Sequence, residues 1–227
     1  MSSDPKAQVV ALLKSIETGE AAPVAVVNPA KYIQHNLAVG DGLAGFGAVL
    51  QALPKGSAKV NTVRVFQDGE FVFAHTEYNF FGPKIGFDIF RFEGGKIVEH
   101  WDNLQETPAK PNPSGRTMID GPAVAADLDK TAANKKLVAA FVDDILVNGR
   151  LDRLAGYYDG DNYHQHNPQI ADGLSGLGAA LQAMADGGDP LGVDSLLDQV
   201  LPSELGIGRR AQAVAPVGNP PAGRHDP

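Results

Sequence analysis

Two histidines and two aspartates lie on strand-like stretches in the first half of the chain: His75, Asp88, His100 and Asp102. In a strand, side chains at i and i+2 share a face, so turn lengths decide whether these four meet. At the Phe81-Gly82 turn, pairing Phe80 with Pro83 sets His75 opposite Asp88. The next turn, Glu93-Gly94-Gly95, suits a three-residue loop with a left-handed glycine, which pairs Phe92 with Lys96 and sets Asp88 opposite His100; a two-residue Gly-Gly turn would set Trp101 there instead. The first register gathers all four groups on one face with Phe71, Phe73, Phe90 and Phe92. Imidazoles and carboxylates on an aromatic face make an acid/base site. Burial raises a carboxyl pKa, a neighbouring histidine tunes it, and the pair can move a proton at the carbon alpha to a carbonyl. Each residue also has a plainer role: Asp88 could pair with Arg91 or His75, His75 could be a hydrogen-bonded core residue, and Trp101 could be packing.

The elements that must position them read as follows. Asp4-Pro5 opens a helix closed by Gly19, with Val10, Leu13 and Ile16 at helical spacing. Lys31–Asn36 reads as a short strand, and Asp41 as the N-cap of a helix ended by Pro54. From Lys59 the period becomes 2, with strand runs Val60–Gln67, Glu70–Phe80, Lys84–Glu93 and Lys96–Gln105. Helices followed by an antiparallel meander make an α+β domain.

An internal repeat extends the pattern. Residues 32–53 return at 163–184 with 13 of 22 positions identical, and Lys6–Gly19 aligns with Lys136–Gly149. A period this long points to a duplicated domain. The expected division is a domain over 1–106, a Pro/Gly-rich linker over 107–134, a partial second copy over 135–188 and a disordered tail over 189–227. Nothing in that tail matches the four strands after Leu53, as a reading-frame shift near Gly188 would produce. All 16 aromatics lie at or before Tyr163.

Composition excludes several classes. With no cysteine there is no disulfide framework, zinc-thiolate site or cysteine nucleophile. The net charge of −8 and the lack of a basic stripe speak against nucleic acid. There is no signal-peptide pattern and no apolar run of membrane-span length, so a cytoplasmic location is expected. His164-x-His166 lacks a third metal ligand, and neither a P-loop nor a nucleophile elbow occurs. No metal and no cofactor are expected.

Tyr32-Ile-Gln-His-Asn, Asp41-Gly, His75-Thr-Glu-Tyr and Gly86-Phe-Asp-Ile-Phe-Arg-Phe-Glu-Gly-Gly-Lys-Ile-Val-Glu-His-Trp-Asp102 together resemble the SnoaL-like branch of the nuclear transport factor 2-like superfamily. The resemblance covers residues 5–106 and, in part, 135–184. It implies a cone, a strongly bent antiparallel sheet wrapped around N-terminal helices and an apolar pocket, followed by an incomplete second copy. It also implies cofactor-independent proton transfer on a small hydrophobic carbonyl compound: aldol condensation, cyclisation or isomerisation. Asp88 would be the acid/base, with His75 its partner and His100 orienting the substrate. Tyr32, His35, Asn36, Phe73, Phe90 and Asp102 would bind it. The family mixes enzymes with binding modules and protein-interaction adaptors, which stand as alternatives, and it implies a homodimer through the first domain.

Overall fold

The Asp4 carboxylate accepts from the Lys6 amide at 3.0 Å, and helix α1 (Pro5–Thr18) starts there; Gly19 ends it at φ 73°. The structure is a computed structural model, described for residues 4–53 and 56–187. Val9, Leu12 and Leu13 are buried against the sheet, so the apolar stripe of α1 forms one wall of the core. A short turn of 3-10 helix, Ala22–Val26, follows, then strand β1 (Ile33–Gln34) and helix α2 (Gly42–Ala52).

The meander is β2 (Lys59–Asp68), β3 (Phe71–Asn79), β4 (Pro83–Glu93) and β5 (Lys96–Glu106), each within one residue of the run expected at either end. Sheet order is β1-β5-β4-β3-β2, with β1 parallel to β5 and the other pairs antiparallel. One face packs on α1 and closes the core through Val60, Val72, Ala74, Tyr78, Phe90 and Phe92. An α+β unit with the sheet wrapped on its N-terminal helices is the fold expected.

Both hairpin registers differ from expectation. At the first turn Phe81 (φ 50°) and Gly82 (φ 96°) are left-handed, and the loop takes in Phe80, so Asn79 pairs with Pro83. That one-residue slip sets His75 opposite Phe87 and Ala74 opposite Asp88. A slip of one exchanges faces. Val72, Ala74, Thr76 and Tyr78 therefore point into the core, while Phe71, Phe73 and His75 take the other face with Phe87. The second turn is the two-residue Gly94-Gly95, and a bulge between Arg91 and Phe92 adds one residue on β5. The bulge restores the parity, pairing Phe90 with His100 and Asp88 with Asp102, while Trp101 lies opposite Ile89.

Asp41 occupies the N-cap position of α2, but its carboxylate makes no capping bond to the helix. Instead it accepts from the Gln34 amide at 2.8 Å and holds β1 to the helix. In the repeat, Asp172 accepts from the Gln165 amide at 2.9 Å in the same way. Asn36 and Asn167 amides donate to Gln34 and Gln165 side chains, and the Gly42 and Gly173 amides donate to the Tyr32 and Tyr163 carbonyls. Gly45 and Gly176 sit where a Cβ would collide with the backbone of Gly40 and Ala171, respectively, which is why the helix can approach the loop so closely. Residues 163–173 thus repeat these three loop bonds.

From Thr107 to Asp127 the chain has neither helix nor strand. Asn112 is buried and donates to the Gln165 and Ile170 carbonyls, Arg116 pairs with Asp172, and Arg64 donates to the Ile119, Asp120 and Pro122 carbonyls. Helix α3 (Thr131–Phe141) continues as a π-helical segment, Val142–Val147, and α4 spans Gly173–Ala185. Ile145, Leu154 and Leu177 form a small second core. Among the described residues no strand follows α4; the expected tail over 189–227 and the Gly188 frame shift lie outside them, as does Pro54.

Candidate active site

Between α1, α2 and the inner face of the sheet is a cavity of about 650 Å³. Leu12, Ile16, Phe46, Val49, Phe80 and Leu104 make apolar walls, and Asp88, His100, Asp102, Tyr32, Gln34 and Asn36 also line it. The volume is that of a small-molecule pocket.

Asp88 is 3% exposed. Its Oδ2 accepts from the Tyr78 hydroxyl at 2.8 Å, and its Oδ1 lies 3.3 Å from His100 Nε2. His100 stacks on Phe90 with ring centroids 4.4 Å apart, and its Nδ1 lies 3.1 Å from Gln34 Oε1. Asp102, directly across from Asp88, accepts from Asn36 Nδ2 through both oxygens, at 2.9 and 2.7 Å. Tyr32 is buried, and its hydroxyl accepts from Gln34 Nε2 at 3.5 Å. Burial, then the nearby carboxylates, push the Tyr32 and Tyr78 hydroxyls above the usual phenol range, so both stay protonated donors at neutral pH.

The structure therefore brings together Asp88, His100, Asp102, Tyr32, Asn36 and Phe90. It does not bring His75, Phe73 or His35 to them. His75 is on the opposite face, stacked on Phe87 at 4.4 Å with Nδ1 3.2 Å from Arg64 Nη1, and cannot partner Asp88. Phe73 stacks on Phe66 at 4.6 Å in an outer groove, for the same one-residue reason. His35 lies on that side too, stacked on Trp101 and 2.9 Å from Glu99. Its neighbours Gln34 and Asn36 point inward because strand residues alternate.

Tyr78 and Gln34 complete the polar end, and neither was among the residues expected there. The repeated Tyr-x-Gln-x-Asn spacing carried the signal for Gln34, since alternation places the Tyr, Gln and Asn on one face. Tyr78 depends on Gly86. A Cβ there would stand 2.5 Å from Tyr78 Cε2 and 2.9 Å from Leu104 Cδ2. Gly86→Ala should cost about 1–3 kcal/mol by overpacking and break the Tyr78–Asp88 bond. Urea melts check the first effect, and Tyr78 ultraviolet titration the second.

His75 carries a stability prediction. Burial first, then Arg64 and His166, hold its imidazole below the ordinary 6.5. The unfolded chain takes up this proton at a higher pH than the folded one does, so the two forms differ in bound protons only below the unfolded value. Stability should thus fall as pH drops from about 6.5 toward the lowered folded value. Thermal melts of His75→Gln should show a flatter pH dependence across that window; an unchanged slope would refute the assignment.

Asp88, His100 and Asp102 each offer a ligand atom within 4.8 Å of the others, a spacing that three metal ligands could use. No helix among the described residues is long and apolar enough to cross a membrane.

No family model and no curated protein matches the chain. Solved structures similar to it include TsrD from Streptomyces laurentii, at 18% identity and TM-score 0.38 over 45% of this chain and 90% of that one. Another is IdmH from Streptomyces antibioticus, described as a candidate polyketide cyclase, at 16% identity and TM-score 0.39 over 45% and 92%. A third is a candidate ketosteroid isomerase from Kribbella flavida, at 16% identity and TM-score 0.40 over 54% and 91%.

Proposed function

We propose that the cavity is the active site of an enzyme that moves a proton at the carbon alpha to a carbonyl in a small hydrophobic compound, leading to isomerisation, cyclisation or aldol condensation. The observation that carries this reading is the buried Asp88–His100 contact at the polar end of an otherwise apolar cavity. The alpha proton passes to the Asp88 carboxylate, the proton already shared by the pair moving onto His100 Nε2, and the C–H electron pair moves into the enolate with its charge on oxygen. The Tyr32 hydroxyl donates to that oxygen, in a site whose walls are mostly apolar. The enolate then either regains the proton at another carbon or attacks a second carbonyl, the proton returning to the new alkoxide. Asn36 holds Asp102 across the strand pair, so the second carboxylate is kept hydrogen-bonded beside the first.

The test is alpha-hydrogen exchange in deuterium oxide, followed by NMR, with a panel of β-diketones, steroid enones and polyketide-like esters. Exchange above the buffer rate is the expected result. Line broadening with no exchange would favour a binding module, and neither signal across the panel would count against this pocket as the site. Because the three side chains also have a metal-compatible spacing, the assay carries an EDTA arm. Exchange should be unchanged by EDTA; loss with EDTA and return with zinc would replace the proton-pair reading by a metal-centred one.

A further inference from the structure

We infer that Gln34 is a positioning residue that sets the tautomer of His100 and so leaves one proton to be shared between His100 and Asp88. The inference deepens the reading of the cavity as a proton-transfer site and rests on it for its purpose, though not for its geometry. The Asn36 amide donates to Gln34 Oε1 at 3.0 Å, and only the carbonyl oxygen of a carboxamide can accept that bond. This orients the side chain: Oε1 faces His100 Nδ1 at 3.1 Å, while Nε2 turns to the Tyr32 hydroxyl. An oxygen that cannot donate requires Nδ1 to carry the hydrogen. In a neutral ring, Nε2 is then a bare lone pair, 3.3 Å from Asp88 Oδ1. Two lone pairs facing each other in a buried site repel. The contact is favourable only with one proton between them, either on the carboxyl or on an imidazolium. Tyr78 donates to the other Asp88 oxygen and does not compete for that position.

The plain alternative is that Gln34 only shapes the loop. Gln165 does this in the second copy, accepting from the Asn167 amide at 2.9 Å. The bond to an imidazole is what the first copy adds, and it is the part under test.

The experiment records long-range proton–nitrogen spectra of the histidine ring nitrogens in the full-length chain, with His100 assigned by its loss in His100→Gln. Wild type should show the hydrogen on Nδ1. Gln34→Leu should move it to Nε2, leaving Nδ1 bare. Gln34→Glu keeps an acceptor facing the ring, so it should keep the hydrogen on Nδ1. A wild-type ring with its hydrogen on Nε2 alone overturns the inference, as does a Gln34→Leu spectrum like wild type. Should Gln34→Leu not fold, the tautomers of wild type and Gln34→Glu still decide, a hydrogen on Nε2 alone in either counting against it. No substrate is involved, so a failed exchange assay would count against the proposed reaction and leave this result standing.

Discussion

Replacing Asp88 by asparagine should slow alpha-hydrogen exchange by about 10²–10⁴-fold while leaving ligand affinity within a few-fold. That loss corresponds to roughly 3–5 kcal/mol of barrier. The substitution suits the question because it preserves shape and hydrogen bonding. The asparagine oxygen can still accept from Tyr78, and its amide can donate to the bare Nε2 of His100. Only the capacity to take and return a proton disappears. Exchange rates, a titration of the same ligand and a thermal melt must therefore be measured on one preparation. Exchange that survives would remove Asp88 from the chemistry, and affinity that falls in step with exchange would mark it as a binding residue.

The strands were legible in the sequence, but which face each side chain joined was less so. On β3 both alternating sets are plausible cores: Phe71, Phe73 and His75 on one side, Val72, Ala74 and Tyr78 on the other. Periodicity cannot choose between two apolar faces, and the choice passed to a turn whose length depends on a left-handed Phe81. That non-glycine residue gave no local signal of its φ. On β5 the bulge after the Gly94-Gly95 turn offset the error in loop length, so Asp88, His100 and Asp102 share a face as expected, through a different register. Asp41 was legible as a helix-start residue, but not as a bond to Gln34, seven residues earlier, because a strand-to-helix bond depends on the tertiary approach that Gly45 permits. Tyr78 could be found only once Gly86, opposite Thr76, was known to leave room for its ring.

Truncating Phe90 to alanine is the test of how that inner face is held together. Phe90 is 2% exposed, belongs to the main core and stacks on His100 at 4.4 Å. Buried Phe-to-Ala changes cost about 3–5 kcal/mol, because the lost transfer energy is joined by the cost of the void. Here the ring already lines a cavity of about 650 Å³. Its removal enlarges an existing space instead of opening a closed one, so the lower end, about 3 kcal/mol, is expected. For a chain of this size that is a fall of roughly 6–12 °C in melting temperature. Phe66, 49% exposed on the outer face, is the control, and its alanine variant should cost well under half as much. Phe90→Leu separates volume from stacking. It should recover most of the stability yet leave His100 without its ring partner, so exchange should remain impaired when the fold is restored. If Phe90→Ala were as mild as the Phe66 control, the inner face would not be the closed wall that keeps water from the Asp88–His100 pair, and the low-dielectric basis of the chemistry would fail with it.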